Sequence, residues 1–211
     1  MTGSRPGRRP RWRALALLVL LAGCAGTPKA PPPAQLARPT WTVGDRWVFR
    51  RTPMLTAGGP SLVVTHEVAE AGADGYTMRM SWLGQEITRY WTPDLHLREQ
   101  TVGPRLLNRF DPPAMFFVWP LALGKTWEQE FDYRDGRQDG RYVNSWRVGP
   151  RVEAVSVMAG AFVALRIERL GREAQALETY WYAPAARYWV RFEDHLGRYT
   201  DELVEFGSTR S

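Results

Sequence analysis

Several stretches of the chain hold residue types that can do chemistry. His66-Glu67-Val68-Ala69-Glu70 begins like a zinc-protease motif, which needs two histidines four apart on one helical face. Here the second position is Glu70, and the surrounding Leu62-Val63-Val64-Thr65-His66-Glu67-Val68 alternates like a strand. A strand sends His66 and Glu67 to opposite faces, so the motif cannot assemble. Gly124-Lys125-Thr126 looks like the end of a phosphate-binding loop, but Trp119 stands where that loop needs its first glycine. The reading there is a turn leading into a strand. Asp132, Asp135 and Asp139, with Gly136 and Gly140, suggest a calcium loop. Counted from Asp135, however, the third and twelfth positions are Arg137 and Trp146, which offer no oxygen ligand, and a hairpin tip is the better fit.

The three histidines, His66, His96 and His195, are far apart and show no ligand spacing, so no metal or other cofactor is expected. There is no Gly-x-Ser-x-Gly elbow, and the chain holds one cysteine, which excludes an internal disulfide framework. Acidic residues are numerous enough to keep a hydrolase open, with carboxylates or a metal brought together only by folding. The unusual feature is aromatic: ten tryptophans in 211 residues. Trp82, Trp91, Tyr180, Trp181, Tyr182 and Trp189 are the candidate lining of a groove that could hold an acyl chain, a glycan or a peptide. Core filling and cross-strand aromatic pairs are the competing explanation for each of them.

The elements that must position these residues are strands. Tyr76, Met78, Met80 and Trp82 alternate with polar residues, as do Val163, Leu165 and Ile167. Tyr188, Val190 and Phe192 likewise alternate with Trp189 and Arg191. Period two with Gly- and Asp-rich turns predicts antiparallel hairpins. The expected fold is all-β: a single antiparallel meander of about ten strands in residues 40–211, forming a curved sheet or open barrel. Residues 103–120 read as a long loop with one short helical turn. A faint repeat pairs Val43–Trp47 with Leu123–Trp127, Leu83-Gly84 with Leu170-Gly171, and Tyr90-Trp91 with Tyr180-Trp181. It suggests two similar halves, with chance alignment of tryptophans as the alternative.

The charge has a separate origin. The chain carries 28 basic and 22 acidic residues, net +6, which invites a nucleic-acid partner. Arg5, Arg8, Arg9, Arg11 and Arg13, however, all precede the apolar run of residues 14–22. A basic segment and a nine-residue apolar run make a secretory signal, too short to span a membrane as a helix. Without residues 1–23, 23 basic residues face 22 acidic ones, net +1, and the nucleic-acid reading falls away.

The segment ends Leu21-Ala22-Gly23-Cys24, which resembles the lipobox of bacterial lipoproteins. That resemblance implies cleavage between Gly23 and Cys24, lipid attachment at Cys24, and a membrane as partner through the anchor. Residues 24–39, rich in proline, then read as the lipidated cysteine and a tether. Ala25, where the family's inner-membrane retention signal usually has Asp, implies the outer membrane, facing the periplasm, in a Gram-negative cell. Phe117–Leu121, Ala159–Phe162 and Tyr180–Pro184 resemble phrases of uncharacterised β-rich exported bacterial proteins, and the length and all-β pattern are similar to LolB-like half-barrels. The expectation is a periplasmic lipoprotein acting as a non-catalytic binding or envelope-assembly module with an aromatic-lined groove. Its ligand would be lipid, glycan or protein. An envelope hydrolase, or a structural subunit docking a protein partner, are the alternatives.

Overall fold

The computed structural model describes residues 35–55, 59–135 and 139–208. Gly23 and Cys24, on which the cleavage and anchoring expectations fall, lie outside the described residues. Within them there is no helix; the chain forms strands and turns. In order, β1 is Gln35–Leu36, β2 Asp45–Pro53, β3 Leu62–Gly72, β4 Gly75–Trp82, β5 Gln85–Trp91, β6 Leu97–Val102 and β7 Arg105–Ala114. There follow β8 Leu121–Ala122, β9 Thr126–Arg134, β10 Asp139–Val157, β11 Gly160–Leu170, β12 Ala176–Ala183, β13 Tyr188–Asp194 and β14 Tyr199–Ser208.

Twelve of these strands close into one antiparallel barrel, each beside its sequence neighbour, while β1 and β8 pair separately. The all-β antiparallel expectation holds, but the sheet is closed rather than open, and the strands number fourteen rather than about ten. Two pairings of distant segments make the closure. β14 runs along β2 from Tyr199↔Pro53 to Ser208↔Asp45, and β7 meets β9 at Arg109↔Arg134, Phe110↔Tyr133 and Asp111↔Asp132. Closure removes both unpaired edges, which an open sheet of this size would expose. Residues 105–114, expected as loop, are β7. The Asp-Pro-Pro sequence at 111–113 hid it, because prolines mark a strand only where a ladder bond is dispensable.

Six barrel strands, β2–β7, precede the 115–125 connection, and six, β9–β14, follow it. Gly44 and Gly124 both adopt positive φ just before β2 and β9, and Leu83-Gly84 and Leu170-Gly171 both end the third strand of their half. Tyr90-Trp91 and Tyr180-Trp181 lie on the fifth-named β5 and on β12, the fourth strand of each half, but in opposite phase: Trp91 and Tyr180 are buried, whereas Tyr90 is exposed and Trp181 half-exposed.

Alternation decides what fills the barrel. Trp47 and Phe49 from β2, Val64, His66 and Val68 from β3, and Met78 and Met80 from β4 are all buried, with polar neighbours facing out between them on β3 and β4; on β2 the intervening Val48 is buried as well. One end of the lumen is plugged. There the segment before β2 contributes Leu36 and Trp41, and the 115–125 connection contributes Phe117 and Leu121. Trp41 packs edge-on against Tyr76, Trp91 and Tyr188, and its Nε1 donates to the Arg187 carbonyl at 3.1 Å. Trp47 stacks on Tyr188 and donates to the Ala186 carbonyl at 2.8 Å. The β3–β4 turn closes against the same end through Gly75, whose φ of +125° and proximity to the Trp91 carbonyl leave no room for a Cβ.

Candidate functional site

At the other end the lumen stays partly empty. A cavity of about 490 Å³ lies inside the barrel, within the range of roughly 300–1,000 Å³ usual for small-molecule sites. Trp91, Leu97, Phe116 and Trp189 form its apolar floor against the plug, and Phe110, Phe131, Phe192 and Tyr180 its walls. Tyr133, Tyr142, Asp194 and Tyr199 sit where β9, β10, β13 and β14 meet their turns at the unplugged end. Tyr142 is 42% exposed, which marks that end as the mouth.

Polar groups are set into this aromatic wall. Three inward arginines lie on the same parity as apolar residues of their own strands: Arg51 with Trp47 and Phe49, Arg89 with Ile87 and Trp91, Arg169 with Leu165 and Ile167. Two are held by carboxylates. Arg51 makes a bidentate pair with Asp201, Nε to Oδ1 and Nη2 to Oδ2 both at 2.8 Å, and its guanidinium lies 3.9 Å from the ring centroid of Tyr199. Arg169 donates to Glu178 at 2.7 Å, and Tyr180 donates its hydroxyl to the other Glu178 oxygen at 2.9 Å. Burial works against the Arg51 cation, but the hydrogen bond and charge of Asp201 outweigh it and raise its pKa. Burial pushes the Asp201 carboxyl above its ordinary value, with Arg51 opposing. Tyr180 is held protonated by burial and by the Glu178 charge beside it.

Arg89 is different. Its Nε donates to the neutral Gln100 side-chain carbonyl at 3.1 Å, and its charge acts on the neutral Tyr188 hydroxyl nearby, opposing the upward push of burial on that group's pKa. Tyr188 in turn lies 3.0 Å from Nδ1 of His66. His66 is 2% exposed, and its pKa is driven well below the ordinary value by burial and then by the Arg89 and Arg51 charges. The imidazole is therefore neutral.

The six aromatics expected to line a groove divide three ways. Trp91, Tyr180 and Trp189 line the cavity. Tyr182 points inward but is spent in the plug, against Phe117 and Trp119. Trp82 lies beside Arg51, 5.3 Å from its guanidinium to the ring centroid, and does not line the cavity. Trp181 faces outward, where its Nε1 donates to Glu153 at 2.8 Å and Arg191 covers its ring. Strict alternation would also put Tyr188 and Trp189 on opposite faces. A bulge between Trp181↔Arg191 and Tyr182↔Trp189 breaks the alternation, and both rings pack inside, stacked with centroids 3.6 Å apart. The polar lining, Arg51, His66, Arg89, Gln100, Asn108, Asn144, Arg169, Glu178, Asp194 and Asp201, was not anticipated, although charged residues in register with inward apolar files were a usable signal.

The other motifs resolve as structure. His66 is inward and Glu67 outward on β3. Lys125 caps the 115–125 connection, donating to the Val118 and Pro120 carbonyls at 2.7 and 2.8 Å. Asp132 and Asp139 lie on the β9–β10 hairpin, whose residues 136–138 are outside the described set. His96 lies in the turn before β6 and His195 beside Thr179 and Glu193, so neither joins His66. Among the described residues no group of three His, Cys, Asp or Glu side chains could hold a metal ion.

No protein-family profile matches the chain, and no curated protein sequence matches it. Among solved structures, it is similar to the crystal structure of a putative lipoprotein from Parabacteroides distasonis, with 13% sequence identity and a TM-score of 0.39 over 82% of this chain and 97% of that one. A likeness at that level carries no argument about function.

Proposed function

We infer that this chain is a non-catalytic binding protein of the bacterial envelope, anchored through a lipidated Cys24 at the outer membrane and holding a small ligand inside its barrel. The observation that carries the binding reading is the cavity itself: a lumen sealed at one end, open at the other, and lined by aromatics together with polar groups, two of whose arginines are fixed in ion pairs. Ligand-binding barrels need this combination, because a fully packed lumen has no room and a wholly polar one gains little from excluding water. The anchor reading rests on the order of apolar run, small residues and cysteine at 14–24. A barrel tethered at its N-terminus keeps its lumen independent of the lipid, because the lumen's mouth is built from strand ends of the folded domain.

The carboxylates lining the cavity are engaged rather than poised: Asp201 and Glu178 by arginines, and Asp194 by the backbone N–H groups of Leu196 and Gly197 at 3.0 and 2.6 Å. This favours binding over hydrolysis. Titration of the purified protein with amphipathic small molecules, followed by tryptophan fluorescence, tests the reading. Trp189→Phe should diminish the response and Trp181→Phe should leave it intact. A response that survives Trp189→Phe and Trp91→Phe together would place binding elsewhere. For the anchor, the Cys24→Ala protein should leave the membrane fraction, and its retention in the pellet would end that proposal.

A further inference from the structure

The cavity contains hydrogen-bonding groups that nothing in the fold uses. Among the described residues, four cavity-lining side chains have a buried polar atom without a partner: the ring nitrogens Nε2 of His66, Nε1 of Trp91 and Nε1 of Trp189, and one acceptor, Oδ1 of Asn108. His66, Trp91 and Trp189 are 2%, 4% and 6% exposed. A buried group left unpaired forfeits its hydration for nothing, so three such nitrogens beside one cavity call for a partner there.

The hydrogen-bond directions fix what His66 presents. The Tyr188 hydroxyl has a single proton to give. The hydroxyl proton then has two acceptors, Nδ1 of His66 at 3.0 Å and the thioether of Met78 at 3.6 Å. The imidazole nitrogen is nearer and is the far stronger acceptor, so Tyr188 donates to it. A neutral imidazole that accepts at Nδ1 carries its proton at Nε2. The group left over is thus an N–H donor, as are the two indoles.

The charge balance agrees. Of the three cavity arginines, Arg51 and Arg169 are matched by Asp201 and Glu178. Arg89 is within ion-pair distance of no carboxylate among the described residues, its hydrogen-bond partner Gln100 is neutral, and the carboxylate that feels its charge, Asp201, is already paired with Arg51. The one remaining cavity carboxylate, Asp194, sits at the mouth with its Oδ1 bound by turn N–H groups. A partly buried cation beside unused N–H donors makes an anion site, and the neighbouring Trp91, Leu97, Phe116 and Trp189 make an apolar one.

We propose that the barrel takes an amphipathic organic anion, with a carboxylate or phosphate head seated on Arg89 and the His66 Nε2–H, and an apolar body against the aromatic wall. This rests on the reading of the lumen as a binding site and names the chemistry of its ligand. Carboxylate and phosphate share the needed features, a full negative charge and several acceptor oxygens.

The test uses the purified full chain with dodecanoate, dodecyl phosphate and dodecanol, each below its micelle-forming concentration, and compares affinities from tryptophan fluorescence and equilibrium dialysis. The expected result is that one or both anions bind about tenfold or more tighter than dodecanol, as a charge-assisted hydrogen bond predicts. Whichever anion binds more tightly identifies the head. Arg89→Met should erase the anion advantage, keep dodecanol within about twofold, and leave thermal stability unchanged or higher, since it removes a partly buried cation that has no carboxylate of its own. Equal binding of anions and alcohol, abolished by Trp189→Ala, would overturn the anion site while sparing the cavity reading. No binding of any of the three would overturn both. A preference that persists in a folded Arg89→Met protein would refute the role given to Arg89.

Discussion

The plugged and open ends of this barrel share strands and the same inward-outward alternation, yet they are filled by opposite rules. At the plugged end most inward polar groups find partners: the Trp41 and Trp47 indoles reach the carbonyls of Arg187 and Ala186, and Arg187 bonds Asp45 at 2.6 Å, while the Trp119 indole N–H is the exception. Toward the open end, the same inward files carry Arg51, Arg89, Arg169, Glu178 and Asp201, and buried donors go without partners. One end has been packed for stability, and the other gives up stability to keep recognition groups in a shaped space. The contrast locates function without any catalytic motif, because the unpartnered donors of His66, Trp91 and Trp189 gather on one cavity, whereas that of Trp119 stands alone in the plug.

The largest effect should come from the plug. Trp47→Ala removes a buried indole, its stack on Tyr188 and its hydrogen bond, and should cost about 3–5 kcal/mol in urea unfolding. A loss below about 1 kcal/mol would break the division of labour proposed for the two ends. Next comes the paired part of the open end. Asp201→Ala strands the Arg51 guanidinium and should cost about 3 kcal/mol, the low end for a buried pair, since Arg51 retains some solvent contact.

A smaller, pH-dependent effect comes from His66. Its folded pKa is depressed, so the unfolded chain binds a proton below about pH 6.5 that the folded chain refuses. Stability contributed by neutral His66 is present above that pH and declines as pH falls, by up to about 1.4 kcal/mol per pH unit from this residue. His96 is shifted in the same direction, by burial, and adds to the slope. In His66→Gln the acid-side slope should shrink by one proton's worth, measured as unfolding free energy between pH 7 and pH 5. An unchanged slope would mean that His66 is not buried neutral. The smallest effect is expected outside the barrel: removing the exposed Arg46–Glu205 pair by Arg46→Ala should change stability by less than about 1 kcal/mol and leave ligand response untouched.

Much of the wall was legible in order of residues. Tyr76, Met78, Met80 and Trp82 alternate as read, and turn glycines such as Gly84 and Gly124 stand where the backbone takes positive φ. The site was legible only in part. Of the candidate lining aromatics, Trp91, Tyr180 and Trp189 face the ligand space; Trp181 alternates regularly with Tyr180 and Tyr182 and so takes the outer face, but which of two aromatic faces is the lumen is not marked in the sequence, nor is the β13 bulge that turns Trp189 inward. Arg89 gave no sign of its state, since what distinguishes it from Arg51 and Arg169 is the identity of residues far away in the chain.

The sequence by itself determined the elements: period two and turn chemistry are local properties, set by sterics within a few residues, and they impose strands here without help from the rest of the molecule. It also places a cysteine after a short apolar run, a feature read by position alone. Tertiary structure alone decided closure and the cavity. Pairing β14 with β2 joins segments that the chain holds far apart, and only after closure does an inward side chain have an opposite wall to touch. Whether an inward aromatic becomes plug or lining, and whether an inward arginine meets a carboxylate or is left to a ligand, depends on that opposite wall.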